Sequence, residues 1–282
     1  MHFDNSRFDS EGSKGHMVEQ GTTFGVVQKQ PEQVKSPIKK MSANVISIGV
    51  DGCKGGWVAA ILNRGELEIN KYNNIYDIVN EYPDFDEIFI DMVIGLASSK
   101  NHIRPDTYAR QLIKERAATI FPAPCRQAVY AKTVAAAYEE NERVMGKKFT
   151  PLTVGIIPKI REIDSFLQDN LKYRNVMKES HPEVCFAQLN GRTLLTKKSE
   201  VEGLEERIHL LAKYIPELSI IKLSALTKSL KCKIDDIVDA LCLTVSANIA
   251  AQGYFKIIPE NPMIDETGLL MQMVIPCLEE NN

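Results

Sequence analysis

Val45-Ile46-Ser47-Ile48-Gly49-Val50-Asp51-Gly52-Cys53-Lys54-Gly55-Gly56-Trp57 is the stretch that decides the fold. Val45, Ile46, Ile48 and Val50 make a short apolar run that closes on Asp51, the pattern of a buried strand. Gly52, Gly55 and Gly56 then predict a tight turn. A carboxylate there stands at a strand end, over the sheet edge where sites form in α/β proteins. An Asp-Gly pair is also an ordinary turn, so Asp51 alone does not distinguish a site from a corner.

Working outward, Trp57 to Leu62 predicts a second strand and Leu67 to Tyr72 a third, with Asn63-Arg64-Gly65 as the hairpin turn. Ile75, Ile78, Val79 and Tyr82 have helical spacing. Glu87 to Asp91 repeats the first motif: Ile88-Phe89-Ile90 closes on an acid, and Gly95 follows. The order β-β-β-α-β therefore emerges before residue 100.

The middle is more helical. Thr107 to Lys114, Thr133 to Met145 and Pro151 to Leu171 are predicted helices, the last interrupted near Pro158, since an internal proline removes a backbone donor. Asn175 to Lys178 is a candidate strand leading into His181-Pro182-Glu183. Val201 to Ala212 is amphipathic, and Ile234 to Ala251 is apolar nearly all round. Phe255 to Ile258 and Met271 to Ile275 form a candidate late hairpin. Residues 1 to about 43 lack apolar periodicity and are expected to form a disordered tail, with residues 44 to 282 as one domain.

Composition narrows the class. The chain has 282 residues, 44% hydrophobic and 25% charged, as in ordinary globular proteins. No stretch approaches the roughly 18 apolar residues of a membrane-spanning helix. Met1 to Ser13 is polar and carries Asp4, Asp9 and Glu11, unlike a signal peptide. The six cysteines form no Cys-x-x-Cys pair, which argues against structural zinc and for a reducing, cytoplasmic setting. The net charge of −3 is no global signature of nucleic-acid binding. Arg104 to Arg161, however, holds eleven Lys and Arg against five Asp and Glu. That segment suits either a polyanionic substrate or a solvated helical surface.

The acids carry the chemistry. Asp91 has the grammar of Asp51, and a carboxylate at the end of an apolar strand is costly to bury unless paired or metal-bound. Asp236 and Asp239 lie three apart, on one side of a helix that is apolar nearly all round. Placement near a helix N-terminus explains Asp235 and Asp236 but explains Asp239 poorly. Glu183 follows His181-Pro182 and also suits a first helical turn. Together the acids form a carboxylate set without His or Cys partners, which selects Mg²⁺ or Mn²⁺ over Zn²⁺. Two such ions about 4 Å apart can promote phosphodiester hydrolysis.

The chain resembles a large bacterial and archaeal family described as predicted RNase H-like nucleases. The resemblance rests on Gly49-Val50-Asp51-Gly52-Cys53-Lys54-Gly55-Gly56-Trp57-Val58, Ile90-Asp91-Met92-Val93-Ile94-Gly95-Leu96 and Phe121-Pro122-Ala123-Pro124-Cys125-Arg126. His181-Pro182-Glu183-Val184-Cys185-Phe186, Lys197-Lys198 and Asp235-Asp236-Ile237-Val238-Asp239-Ala240 extend it, so that it runs from about Val45 to Pro276. The resemblance implies an α/β fold, a ribonuclease H-like mixed sheet flanked by helices, with a helical insertion at about 100–172. It implies metal ligation by Asp51, Asp91, Asp236 and Asp239, with Glu183 as a fifth catalytic candidate. Arg104, Arg110, Arg126 and Lys198 would surround a substrate phosphate, where arginine offers bidentate contacts. Internal ion pairs, for instance Arg110 with Asp106, are the competing role for these cations. Met92-Val93 stands where the family pattern has Ile-Pro, a different turn after Asp91.

The leading expectation is a Mg²⁺- or Mn²⁺-dependent nuclease acting on nucleic acid, with no membrane partner. Two alternatives stand beside it. One is an ATP-binding phosphotransferase of the related actin and sugar-kinase architecture. The other is a non-catalytic module that binds nucleic acid or protein.

Overall fold

The computed structural model describes residues 41–278; the tail expected over residues 1 to about 43 lies almost wholly outside them. Met41 packs on the core, and the Ser42 backbone exchanges hydrogen bonds of 2.8 and 3.1 Å with the Asn248 side chain.

Five strands make the main sheet: β1 (Ser47–Cys53), β2 (Gly56–Asn63), β3 (Glu66–Tyr72), β4 (Glu87–Ile90) and β5 (Met177–Glu179). Their spatial order is β3-β2-β1-β4-β5. The first three strands form an antiparallel meander, and β4 and β5 join in parallel, so the sheet is mixed. The β2–β3 turn works as expected: Arg64 and Gly65 both take positive φ, 52° and 88°, as a two-residue hairpin turn demands. Met177–Glu179 replaces the expected Asn175–Lys178 strand, and its shifted end puts an acid, Glu179, at one more strand terminus.

Side-chain alternation divides the core into two faces. Ile48 and Val50 of β1, Trp57, Ala59 and Ile61 of β2, and Ile88 and Ile90 of β4 face α1 (Ile75–Glu81) and the later helix α5 (Pro151–Asp169). Val58, Ala60 and Phe89 face the other way, toward the helices that follow β5. Between β4 and β5 the chain builds α2 (Asp106–Leu112), α3 (Arg126–Val129), α4 (Val134–Met145) and α5 (Pro151–Asp169). α5 is continuous through Pro158, which corrects the expected interruption. The proline lies on the exposed side of the helix, where water can satisfy the carbonyl it leaves unpaired.

After β5 come α6 (Pro182–Asn190), α7 (Val201–Leu211), α8 (Ile220–Leu230) and α9 (Ile234–Ala251), then the hairpin β6 (Phe255–Ile264) and β7 (Leu270–Pro276). α8 was not foreseen, because its apolar stripe is weak and only Leu223 is buried. α9 lies directly on β1. A methyl group at Gly49 would sit 2.1 Å from the Ala240 carbonyl oxygen and 2.2 Å from Thr244 N, so strand and helix meet backbone to backbone. Thr244 Oγ1 clips them together by accepting from Gly49 N at 2.6 Å and donating to the Ala60 carbonyl. The six cysteines are buried free thiols, and no helix among the described residues is long and apolar enough to cross a membrane.

Candidate metal centre

The register of the sheet delivers the first two acids. Val50 pairs with Ile90 in the parallel β1–β4 ladder, so Asp51 and Asp91 leave adjacent strands side by side. Asp91 N donates to the Val50 carbonyl at 2.9 Å. Period-2 alternation sets their direction: Gly49 meets α9 and Phe89 packs with the α9 face, so Asp51 and Asp91, two residues on, project to that same face. The backbone contact at Gly49 then supplies the third acid, because Asp239 directly precedes Ala240.

Asp51, Asp91, Glu183, Asp239 and Lys198 line one cavity of about 390 Å³. Its remaining walls are largely apolar, with Met92, Val93, Ile120, Phe121 and Ile156 among them. Asp51 and Asp239 are buried and Asp91 is half-buried. Burial, then the charges of Asp91 and Asp239, push the Asp51 carboxyl far above the usual carboxylate range. Burial likewise raises Asp239 to about 7, with Asp91 and Glu183 adding to the rise and Lys198 opposing it. Lys198 Nζ donates to Asp239 Oδ2, while Asp239 Oδ1 is buried without a hydrogen-bond partner. Burial works against the Lys198 ammonium, but Asp239, Asp51 and Asp91 outweigh it and hold its pKa above the ordinary lysine value.

The other expected residues sit differently. Asp236 lines a neighbouring hollow, and its carboxylate accepts from Lys233 N at 3.2 Å, the N-terminal capping role that its position allowed. Glu183 stays at the cavity wall with both oxygens 2.8 Å from Arg207, a fully buried cation. Arg104 and Arg126 are not in the wall. Arg104 holds Glu179 in a bidentate pair at 2.7 Å and also bonds Asp106. Arg126 bridges Asp164 and Asp265. Arg110 donates to the Ile120 carbonyl at 2.7 Å rather than pairing with Asp106, and lines a separate cleft.

Two residues that the sequence did not single out join the wall. Lys159 reaches it from α5, donating to the Gly56 carbonyl with its ammonium 4.2 Å from the Trp57 ring centroid. Burial lowers its pKa. Glu179 also faces the cavity, and burial raises its carboxyl to about 7 against the pull of Arg104. Glu179 repeats the strand-end acid of Asp51 and Asp91, so that signal was present. Nothing local marks Lys159.

Among the described residues no three His, Cys, Asp or Glu side chains close on one point at metal-holding distance. The residues nevertheless fit a hard divalent cation by donor chemistry. Asp51, Asp91 and Asp239 offer carboxylate oxygens, and the unpartnered Asp239 Oδ1 leaves a buried acceptor to be satisfied.

Residues 49–264 match the family described as Protein of unknown function (DUF429). The chain belongs to the DUF429 family. No curated protein and no solved structure matches the chain.

Proposed function

We propose that the chain is a ribonuclease H-like, Mg²⁺- or Mn²⁺-dependent hydrolase of phosphodiester bonds in nucleic acid. One observation carries the reading: Asp51, Asp91 and Asp239, delivered by two parallel strands and a helix, face one cavity with Lys198 as the cation that pairs there. The mixed sheet with a terminal helix on its first strand supports the fold assignment. Burial first, and the neighbouring carboxylates second, raise the carboxyl pKa values of Asp51 and Asp239, so added positive charge would favour their ionised forms.

A divalent cation would supply that charge, lower the pKa of a bound water and neutralise a phosphate oxygen. Asp51, Asp91 and Asp239 would hold it. Hydrolysis forms a bond from a water oxygen to phosphorus and breaks the bond from phosphorus to the leaving oxygen. A carboxylate takes the proton from the water, and a proton is returned to the leaving oxygen. Lys198, with a side chain 38% exposed, sits where it can turn from Asp239 toward a substrate phosphate. The apolar walls exclude bulk water and strengthen each charge interaction inside. Asp236 and Glu183 border the cluster and keep it in register, one capping α9 and the other anchoring α6 to Arg207.

Calorimetry with Mn²⁺ and Mg²⁺ tests this on wild type, Asp51→Ala and Asp239→Ala. Binding by wild type and at least tenfold loss in both variants is expected, with retained folding by circular dichroism. Metal-dependent cleavage of labelled oligonucleotides should disappear in Asp51→Ala. Unchanged metal affinity or unchanged cleavage in that variant would sink the reading.

A further inference from the structure

The charge of the segment Arg104 to Arg161 suits either a polyanionic substrate or a solvated surface, but Arg104 and Arg126 are consumed by internal carboxylates. Positive charge without such partners gathers elsewhere. Gly52, Cys53 and Lys54 at the end of β1 face Thr227, Lys228, Lys231, Cys232 and Lys233 across a hollow of about 480 Å³. Lys54, Lys228, Lys231 and Lys233 are all exposed on it. Lys71 ties its two sides together, its ammonium 2.8 Å from the Lys54 carbonyl and 3.5 Å from that of Lys231.

Among the described residues none of these five lysines has a carboxylate within ion-pair distance in the salt bridges found. The single acid lining the hollow is Asp236, whose carboxylate already accepts from Lys233 N. Ammonium groups around one hollow repel one another, and an acidic chain has many carboxylates that could have relieved them. The hollow adjoins the acidic cavity at the end of β1, where Gly52 lines both.

We infer that this lysine hollow is a docking surface for the phosphodiester backbone of a nucleic-acid strand whose adjacent phosphate lies over Asp51. The inference rests on the proposed nuclease reading and names where its substrate is held. A carboxylate cluster repels phosphates, so a strand needs anchors outside it. Lys54, three residues beyond Asp51 and just past the end of β1, and Lys231 and Lys233, at the mouth of the helix that carries Asp239, place anchors beside the acids. Point-like ammonium groups on flexible stems suit backbone phosphates without regard to base.

The test is fluorescence anisotropy with a 5′-labelled oligothymidylate in EDTA, titrated with salt, so that it reads binding and not cleavage. The variant is Lys54→Ala/Lys228→Ala/Lys231→Asn; asparagine suits the positive φ of 53° at residue 231. Its control is Lys172→Ala/Lys178→Ala/Lys213→Ala, which removes the same charge elsewhere. The hollow variant should bind about tenfold more weakly, and the slope of log affinity on log salt should flatten by about 2. The control should stay within about twofold. Equal losses in both variants, no loss in the hollow variant, or no binding by wild type would each overturn the inference. Mn²⁺ calorimetry on the same samples reads the metal site separately, and the hollow variant should keep wild-type affinity there.

Discussion

Asp265 and Asp51 are both buried aspartates, and the chain treats them in opposite ways. Asp265 accepts from the backbone N–H groups of Leu96, Thr267 and Leu269, from Thr267 Oγ1 and from the Arg126 guanidinium. Burial works against its charge, but the donors of Leu96, Leu269 and Thr267 win and hold its pKa below the usual value. Asp51 accepts from Gly52 N alone among the hydrogen bonds found and faces Asp91 and Asp239. Both carboxylates are expensive to bury. Only the first is compensated by the fold, which makes it a structural joint. The second has no comparable set of donors, and burial holds its pKa high instead.

The largest expected effect comes from damaging the compensated hub. Arg126→Met leaves Asp164 and Asp265 without their cation and should destabilise the fold by about 3–5 kcal/mol, read by urea denaturation. A loss below about 1 kcal/mol would mean that the hub is not what holds those acids.

The uncompensated cluster should respond to pH instead. Asp239 has a folded pKa of about 7 against an ordinary value of 3.8, so the native state binds its proton more tightly than the unfolded chain. Stability from that proton is complete below about pH 4 and is lost as pH rises toward 7. Measured against Asp239→Asn, wild-type stability should therefore fall across that window with a slope approaching about 1.4 kcal/mol per pH unit. Saturating Mg²⁺ should flatten the fall. A wild type that gains stability relative to the variant as pH rises would reverse the comparison.

Lys198→Met gives a smaller effect that sharpens the same contrast. Removing the ammonium matters most when Asp239 is ionised, since Asp239 is its largest partner. The variant should lose about 1–3 kcal/mol at pH 8 and clearly less at pH 5, by denaturant titration at both. An equal loss at both pH values would assign Lys198 to packing instead of charge.

These contrasts mark how far the sequence could be read. Asp51 and Asp91 were legible because an apolar strand that ends in an acid is a local pattern, and Asp239 because it stands on a face that stays apolar. The meander followed from apolar runs and glycine turns, and the α/β class mainly from the family resemblance. What stayed hidden depended on partners distant in the chain. Arg126 and Asp265 are 139 residues apart, and Arg207 lies 24 residues beyond Glu183. Counting charges between Arg104 and Arg161 could not say which of them the fold would neutralise. The lysine hollow was invisible for the same reason, since β1, β3 and the α8–α9 turn meet only in three dimensions.

The contact at Gly49 has a consequence for how the cluster tolerates change. Main-chain atoms of β1 and α9 rest on each other there, so the gap between Asp51 and Asp239 is gauged by backbone, which substitution does not edit. Side chains on either face of the sheet can drift in size while that gauge holds. Its whole tolerance is concentrated at one position: a single added methyl at residue 49 would wedge the helix off the strand and separate the two acids without altering either.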